Sequence, residues 1–428
     1  MVAARAVSEA PAAGSSGQGH RPALLVLSPT FPYPPTSGGD IRVFHLLRRL
    51  ARSFEVHLLS LYEGPDQPLI EQTGIAMVCS LDARAKAPAA SRIRSRLNFW
   101  RYSPHGLSLE VDPTYAHTLK QIVATTHFDG VLVEHLYMLQ YARFVRPSPV
   151  FLSAHNVETM KFSRWFANEP LSLKRRWLHR AQQAVIRFYE SSLARRTSAV
   201  FVTSPLEGDL LRRMNRGQGR FVVAPNGADL TFFEPRSRES FNRSPAILFM
   251  GTMYYRPNYE AAICLANEIF PRVRKEIPEA ECHLVGKTDR KDYSHLHAPE
   301  RGVHMHGFVD DVRPHLRRCQ LLVVPLRVGS GTRIKIIEAM AMATPVVSTS
   351  IGAEGLACTD GEHIVIRDTP VAIAEAVVRL LRDREGCLRI GVAGRRLVEK
   401  EYSWDASADV MRDEIMRVIH GSAAAPSP

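Results

Sequence analysis

The chain has 428 residues, 45% of them hydrophobic and 8% aromatic, which is enough to bury a core in each of two domains and excludes a disordered chain. Its six cysteines (Cys79, Cys264, Cys282, Cys319, Cys358 and Cys387) are scattered without a CxxC pair, which argues against a disulfide framework or structural zinc and for a reducing compartment. The formal net charge is +12, and most of the excess lies before residue 211. No nucleic-acid recognition motif accompanies it.

Residues 1–20 are small and polar and lack the apolar core of a secretory leader, so they read as a disordered tail. No run of about 18 or more apolar residues occurs anywhere, and no helix is expected to span a membrane. From residue 21 onward, short β-branched runs alternate with helical patterns, the sign of βαβ units around parallel sheets. Strands are predicted at Ala23 to Ser28, Val56 to Leu61, Gly130 to Glu134, Val150 to Ala154, Ala199 to Thr203 and Phe221 to Ala224, giving a first domain over 21–227.

Within that domain, Thr36-Ser-Gly-Gly-Asp40 opens an amphipathic helix from Ile41 to Arg52, with Asp40 as its N-cap. Gly38 and Gly39 would let backbone amides approach a ligand, although a tight loop with no ligand reads the same way. His155, in Ser153-Ala-His-Asn-Val-Glu158, lies just past the end of the Val150 strand. Glu134 and His135 end the strand before it. Between Lys161 and Arg196 the chain holds nine cations against Glu169 and Glu190, interleaved with Phe162, Trp165, Phe166, Trp177 and Phe188. Such a stretch suits anionic lipid headgroups, or equally a solvated helix face whose apolar side lies in the core. A smaller cluster (Arg92, Arg94, Arg96, Arg101) sits beside Phe99 and Trp100.

A Pro-Asn-Gly turn at 225–227 leads into a polar linker, 228–245. A second series of strands follows at Ala246 to Met250, Glu281 to Val285, Val303 to His306, Leu321 to Pro325, Pro345 to Ser348 and His363 to Ile366. Helical patterns at Tyr259 to Ile277 and Val371 to Leu381 lie among them, so that 246–400 forms a second doubly wound domain. Residues 401–420 are expected to form a helix that packs back on the first domain, and 421–428 a tail. Ligands of doubly wound sheets bind beyond the carboxyl ends of the strands, so the cleft between the domains is the expected site.

The most informative segment runs from Pro325 to Thr349: a strand, a glycine loop, a helix and another strand. Gly329 and Gly331 allow close backbone approach, and amides from about Thr332 would face a pyrophosphate at the positive end of the helix dipole. Arg333 and Lys335 add cations there. Glu338, farther along the same helix, is placed to accept hydrogen bonds from ribose hydroxyls.

The order of these residues closely resembles the retaining nucleotide-sugar glycosyltransferases called glycosyl transferases group 1, or family four. The resemblance extends over most of the chain: Gly251 followed by Arg256-Pro-Asn258, Leu284-Val-Gly286, His306-Gly-Phe-Val-Asp310, Gly352-Ala-Glu-Gly355 and Tyr402-Ser-Trp404. It is greatest toward the branch found beside bacterial exopolysaccharide genes. It implies an α/β fold of the GT-B type, with two Rossmann-like doubly wound domains facing across a cleft. It also implies transfer from a nucleotide-diphosphate sugar to a glycan or lipid-linked acceptor at the inner face of the membrane, with no cofactor, no metal and no nucleic acid.

By the same resemblance, His155 is directed at the donor sugar, Gly38 and Gly39 border the cleft, and Gly251, Gly286 and the backbone at Val309 contact the donor. The family's two glutamates eight positions apart fall on Ser330 and Glu338, so the carboxylate nearer the sugar is replaced by a hydroxyl. The family's phosphate-binding Arg and Lys after the Gly251 strand are not matched cleanly, and Arg256, Arg333 and Lys335 are the available substitutes. The Asp310-Asp311 pair reads as a helix start, not a metal site. A sugar-nucleotide epimerase of the same architecture and an inactive donor-binding homologue remain as alternatives.

Overall fold

A computed structural model of the protein describes residues 8–9, 21–81, 112–166, 172–234, 245–288 and 293–423. They divide into two compact units, Met1–Ala224 with Ser407–Pro428, and Pro225–Ala406. The cluster at Arg92, Arg94, Arg96, Phe99, Trp100 and Arg101, and Glu169, lie outside the described residues.

The first unit is built on β1 (Ser8–Glu9), β2 (Ala23–Ser28), β3 (Glu55–Ser60), β4 (Met77–Ser80), β5 (Gly130–Glu134), β6 (Val150–Ala154), β7 (Ala199–Val202) and β8 (Phe221–Val223). Their order in the sheet is β1-β4-β3-β2-β5-β6-β7-β8. β2 to β8 are parallel, and β2, with every residue buried, reads as the continuous apolar run of a strand covered on both faces. Ser8–Glu9, in the stretch read as a tail, instead pairs antiparallel with β4. The chain winds outward from β2 to β4 and then crosses back to β5, so β2 and β5 flank the switch point where the loops diverge at their carboxyl ends.

The helix Gly38–Leu50 begins three residues earlier than the sequence suggests. Its N-cap is Ser37 and not Asp40: the Ser37 hydroxyl accepts from the Asp40 amide at 3.3 Å and donates to the Asp40 carboxylate at 2.6 Å. The acid therefore belongs to the first turn, where the helix dipole favours it. Thr30 also donates to Asp40, tying the loop after β2 to the helix start.

The second unit holds β9 (Ala246–Met250), β10 (Glu281–Val285), β11 (Val303–Gly307), β12 (Leu321–Val324), β13 (Val346–Ser348) and β14 (Val365–Ile366), all parallel, in the order β11-β10-β9-β12-β13-β14. Here the switch point falls between β9 and β12. The helical pattern predicted over Tyr259 to Ile277 is three pieces: Arg256–Cys264, a π turn at Leu265–Ile269 and Phe270–Glu276. Pro271 has no N–H, and its ring crowds the carbonyl one turn back, which a wider turn relieves.

The stretch read as a linker is packed into this unit at its start. Ala228 is buried and bridges to Ser403, Phe233 joins the core, and Arg395 donates to the Phe233 carbonyl at 2.7 Å. Residues 235–244 lie outside the described residues. The closing helix, Trp404–Ala423, belongs to the first unit from Ser407 onward. There Glu414 accepts from Arg220 at 3.1 Å. No helix among the described residues is long and apolar enough to cross a membrane.

Candidate active site

In the second unit the loops beyond β9 and β12 bring together residues that lie far apart in sequence. Gly251 follows β9, and an added Cβ there would stand 2.5 Å from the Lys335 ammonium and 2.8 Å from the Asn258 amide. Only glycine leaves that space. Lys335 lies in the first turn of the helix Ile334–Ala341, half-buried, with Nζ donating to Asn258 Oδ1 at 2.8 Å and standing 4.5 Å over the Phe249 ring. Asn258 is held in turn by donating Nδ2 to the Thr252 carbonyl at 3.0 Å.

Burial pulls Lys335 down to about 7, aided by Arg333 and opposed by Glu338. Burial pushes Glu338 up to about 8, opposed by Lys335. A cation held by a neutral amide beside a helix start has its charge available to an anion.

The glycine loop is braced from within. Gly331 adopts φ 74°, in the left-handed region that favours glycine. Arg333 turns its guanidinium back to donate to the carbonyls of Ser330 (2.5 Å), Gly331 and Ile351 (3.3 Å). Its side chain does not cap the helix, and the Ile336 and Ile337 amides donate to the Arg333 carbonyl at 2.9 and 3.4 Å. Thr332 is buried and accepts from Asn226 at 2.8 Å, so the Pro225-Asn-Gly turn anchors the loop. Gly286 ends β10 against the Gly251 carbonyl, and Val309 is half-buried on the core beside an exposed Phe308.

In the first unit the switch point gathers Gly39, Glu134, His135 and His155. His155 Nε2 lies 2.7 Å from the Glu134 carboxylate, and both side chains are buried. A Cβ on Gly39 would lie 3.7 Å from His155 Nδ1 and 3.8 Å from His135 Nε2, so the start of the helix Gly38–Leu50 faces both rings. The His135 and His155 rings are centred 3.7 Å apart. His135 has φ 70°, a backbone state costing about 1–3 kcal/mol for a side chain of this kind and concentrated at functional sites.

Burial, reinforced by Arg42 and Lys161, holds His155 well below the ordinary imidazole range, and burial with His155 does the same for His135. Both rings are neutral at pH 7. Burial raises Glu134, against the pull of Arg42. Arg42 itself is buried, donates to the Ala224 carbonyl at 3.0 Å and lies in the field of Glu134 and Glu207.

Arg256 pairs with Glu260 at 2.6 Å on the helix surface, about half exposed. Asp311 pairs with Arg313 at 2.8 Å before the helix Arg313–Arg318, which it precedes by two residues. Among the described residues no group of three or more His, Cys, Asp or Glu is arranged to hold a metal ion. Asn258, Asn226 and Arg42 carry no role in the sequence reading. The first two stand inside quoted motifs, and the third looks like an ordinary cation on an amphipathic helix.

Two doubly wound units, each with a polar cluster at its sheet's switch point, define a two-domain Rossmann-like α/β protein of the GT-B type. Sucrose-phosphate synthase from Thermosynechococcus elongatus has this fold, at TM-score 0.70 and 19% identity, covering 94% of this chain and 100% of that one. Anabaena HepE, solved with UDP, has it at TM-score 0.65 and 15% identity, over 92% and 100%.

Residues 37–227 match the glycosyl transferase 4-like domain and residues 244–383 the glycosyl transferases group 1. The chain belongs to that family, the family-four glycosyltransferases. It is 22% identical over 393 residues to the "Uncharacterized 44.6 kDa protein in cps region" of Klebsiella pneumoniae, covering 89% of this chain and 96% of that protein. It is 29% identical over 218 residues to a phosphatidyl-myo-inositol mannosyltransferase of Mycobacterium tuberculosis. That match spans 47% of this chain and 55% of the mannosyltransferase.

Proposed function

We propose that this glycosyltransferase moves a hexosyl group from a nucleotide-diphosphate sugar to an acceptor hydroxyl with retention of configuration, using neither metal nor cofactor. The observation that carries this reading is Lys335, a half-buried cation whose hydrogen bond among the described residues goes to the neutral Asn258, at the start of the helix Ile334–Ala341. The diphosphate lies against Lys335 and the first-turn amides, with Gly251 and Gly286 keeping the floor clear. Glu338 takes the ribose hydroxyls, and the backbone at Val309 takes the base.

As the C1–O bond breaks, negative charge grows on the departing diphosphate, and Lys335 with the helix amides stabilises it. The acceptor attacks from the same face and gives its proton to the leaving phosphate. Neutral His155, oriented by Glu134, and the Gly38–Gly39 amides hold the sugar, while Ser330 supplies a hydroxyl where the family pattern implies a carboxylate. Arg256 and Arg333, engaged with Glu260 and the loop carbonyls, are assigned supporting roles only.

The HepE structures, one of them with UDP-glucose, make uridine donors the first to test. The cps-region relative supports a place in exopolysaccharide assembly, and the proposal sets that work in the cytoplasm at the membrane face. With donor and a lipid or glycan acceptor, Lys335→Ala and Glu338→Ala should each lower turnover tenfold or more, about 1.4 kcal/mol or above. Unchanged turnover in both overturns the assignment. An isomer formed from donor alone would make the protein an epimerase.

A further inference from the structure

The helix Leu173–Glu190 packs Ile186 and Tyr189 against the core of the first unit, yet leaves three large apolar residues on its outer face. Leu173, Trp177 and Phe188 are 83%, 64% and 62% exposed, while Gln182 and Glu190 are buried. Trp177 is one turn beyond Leu173 and Phe188 three turns further, so the three share one stripe, with Arg180 and Arg187 on the same line. A solvated helix of a globular protein keeps residues as large and apolar as these inward.

The orientation of the helix is fixed from its inner face. His179 stacks on Phe166 with ring centres 3.7 Å apart, which fills the space an apolar outer residue would need. The Glu190 carboxylate accepts from the Glu158 amide at 2.7 Å and from the Thr159 amide at 3.3 Å, at the start of the helix Glu158–Phe166. Rotating Trp177 inward would break that cap. Glu190 is also the one acidic residue in the helix, so the outward face carries cations and no anion.

We infer that this face docks on an anionic lipid surface: Leu173, Trp177 and Phe188 enter the headgroup region while the arginines pair with lipid phosphates. An aliphatic residue as exposed as Leu173 suits acyl chains and has no use against a nucleic acid. The charge suits an anionic leaflet and not a neutral one. Glu190 links this helix to the segment that follows His155, so docking would hold the first unit's site at a fixed place near the lipid surface. The inference stands independently of the donor chemistry, because its test reads binding alone.

The test is sedimentation of the full chain with phosphatidylcholine vesicles, with and without about one-third phosphatidylglycerol. The chain should pellet with the anionic vesicles only, less so as salt rises, with a blue shift of Trp177 fluorescence. Trp177→Ser with Phe188→Ser, and separately Arg180→Glu with Arg187→Glu, should each lower partitioning at least about tenfold. Circular dichroism and transfer to a water-soluble acceptor should stay unchanged. The proposal is overturned if wild type ignores anionic vesicles or if both variants bind as wild type does. Dissociation of an oligomer by the serine variant, without lipid, or preference for a DNA duplex over vesicles, would overturn it too.

Discussion

The two switch points handle buried charge in opposite ways. In the first unit the charges are matched within the protein: Arg42 answers Glu134 and Glu207, Glu134 holds His155, and the imidazoles stay neutral. In the second, Lys335 faces an amide where a carboxylate would have neutralised it, and its charge is kept low by burial until an anion arrives. Matched charge makes a rigid template, and unmatched charge beside a helix start makes a receptor for phosphate. The proposed function gives the first the positioning of a sugar and the second the departure of a diphosphate.

Breaking the match should cost stability. Arg42→Met leaves two buried carboxylates uncompensated and should lower folding stability by about 3 kcal/mol, read as a shift in urea midpoint. Next in size, Lys335→Ala should lower kcat/KM about a hundredfold with folding stability little changed, the opposite pattern. Adding a match where there is none should also weaken the receptor. Asn258→Asp places a carboxylate on Lys335, and donor affinity should fall about tenfold, an effect of about 1.4 kcal/mol, in calorimetric titration.

The smallest effect is in pH. In the proposed mechanism donor binding requires Lys335 charged and Glu338 ionised. Below about 7 the glutamate must lose a proton, so affinity rises with pH; above about 8 the lysine must gain one, so affinity falls. Donor affinity should therefore peak between these values. Glu338→Gln should flatten the acid side and Lys335→Met the alkaline side.

Most of the strands and the glycine loop were legible in the sequence, because buried parallel strands are continuous apolar runs and the loop from Pro325 separates a strand from a helix. Contacts that join distant segments were not. Lys335 meets Asn258 from 77 residues away, and Thr332 meets Asn226 from 106. No local period records such pairs. Arg42 has the spacing of a polar-face residue and is buried all the same, because its acidic partners come from β5 and the helix Pro205–Met214. The helix 173–190 misleads for a related reason. Its cations and aromatics are plain, but which side faces inward is decided by Phe166 and by the Glu190 cap. The strand Met77–Ser80 was missed because its sequence, Met-Val-Cys-Ser, holds a single β-branched residue and no aromatic to mark it.

The measurement closest to the central claim is ligand-induced thermal stabilisation across a panel of nucleotide sugars, run on wild type and Lys335→Ala together. At least one nucleoside-diphosphate sugar should raise the wild-type Tm, and the same sugar should fail to raise that of Lys335→Ala, whose Tm without ligand matches wild type. An equal rise in both proteins would contradict the claim that Lys335 holds the donor diphosphate.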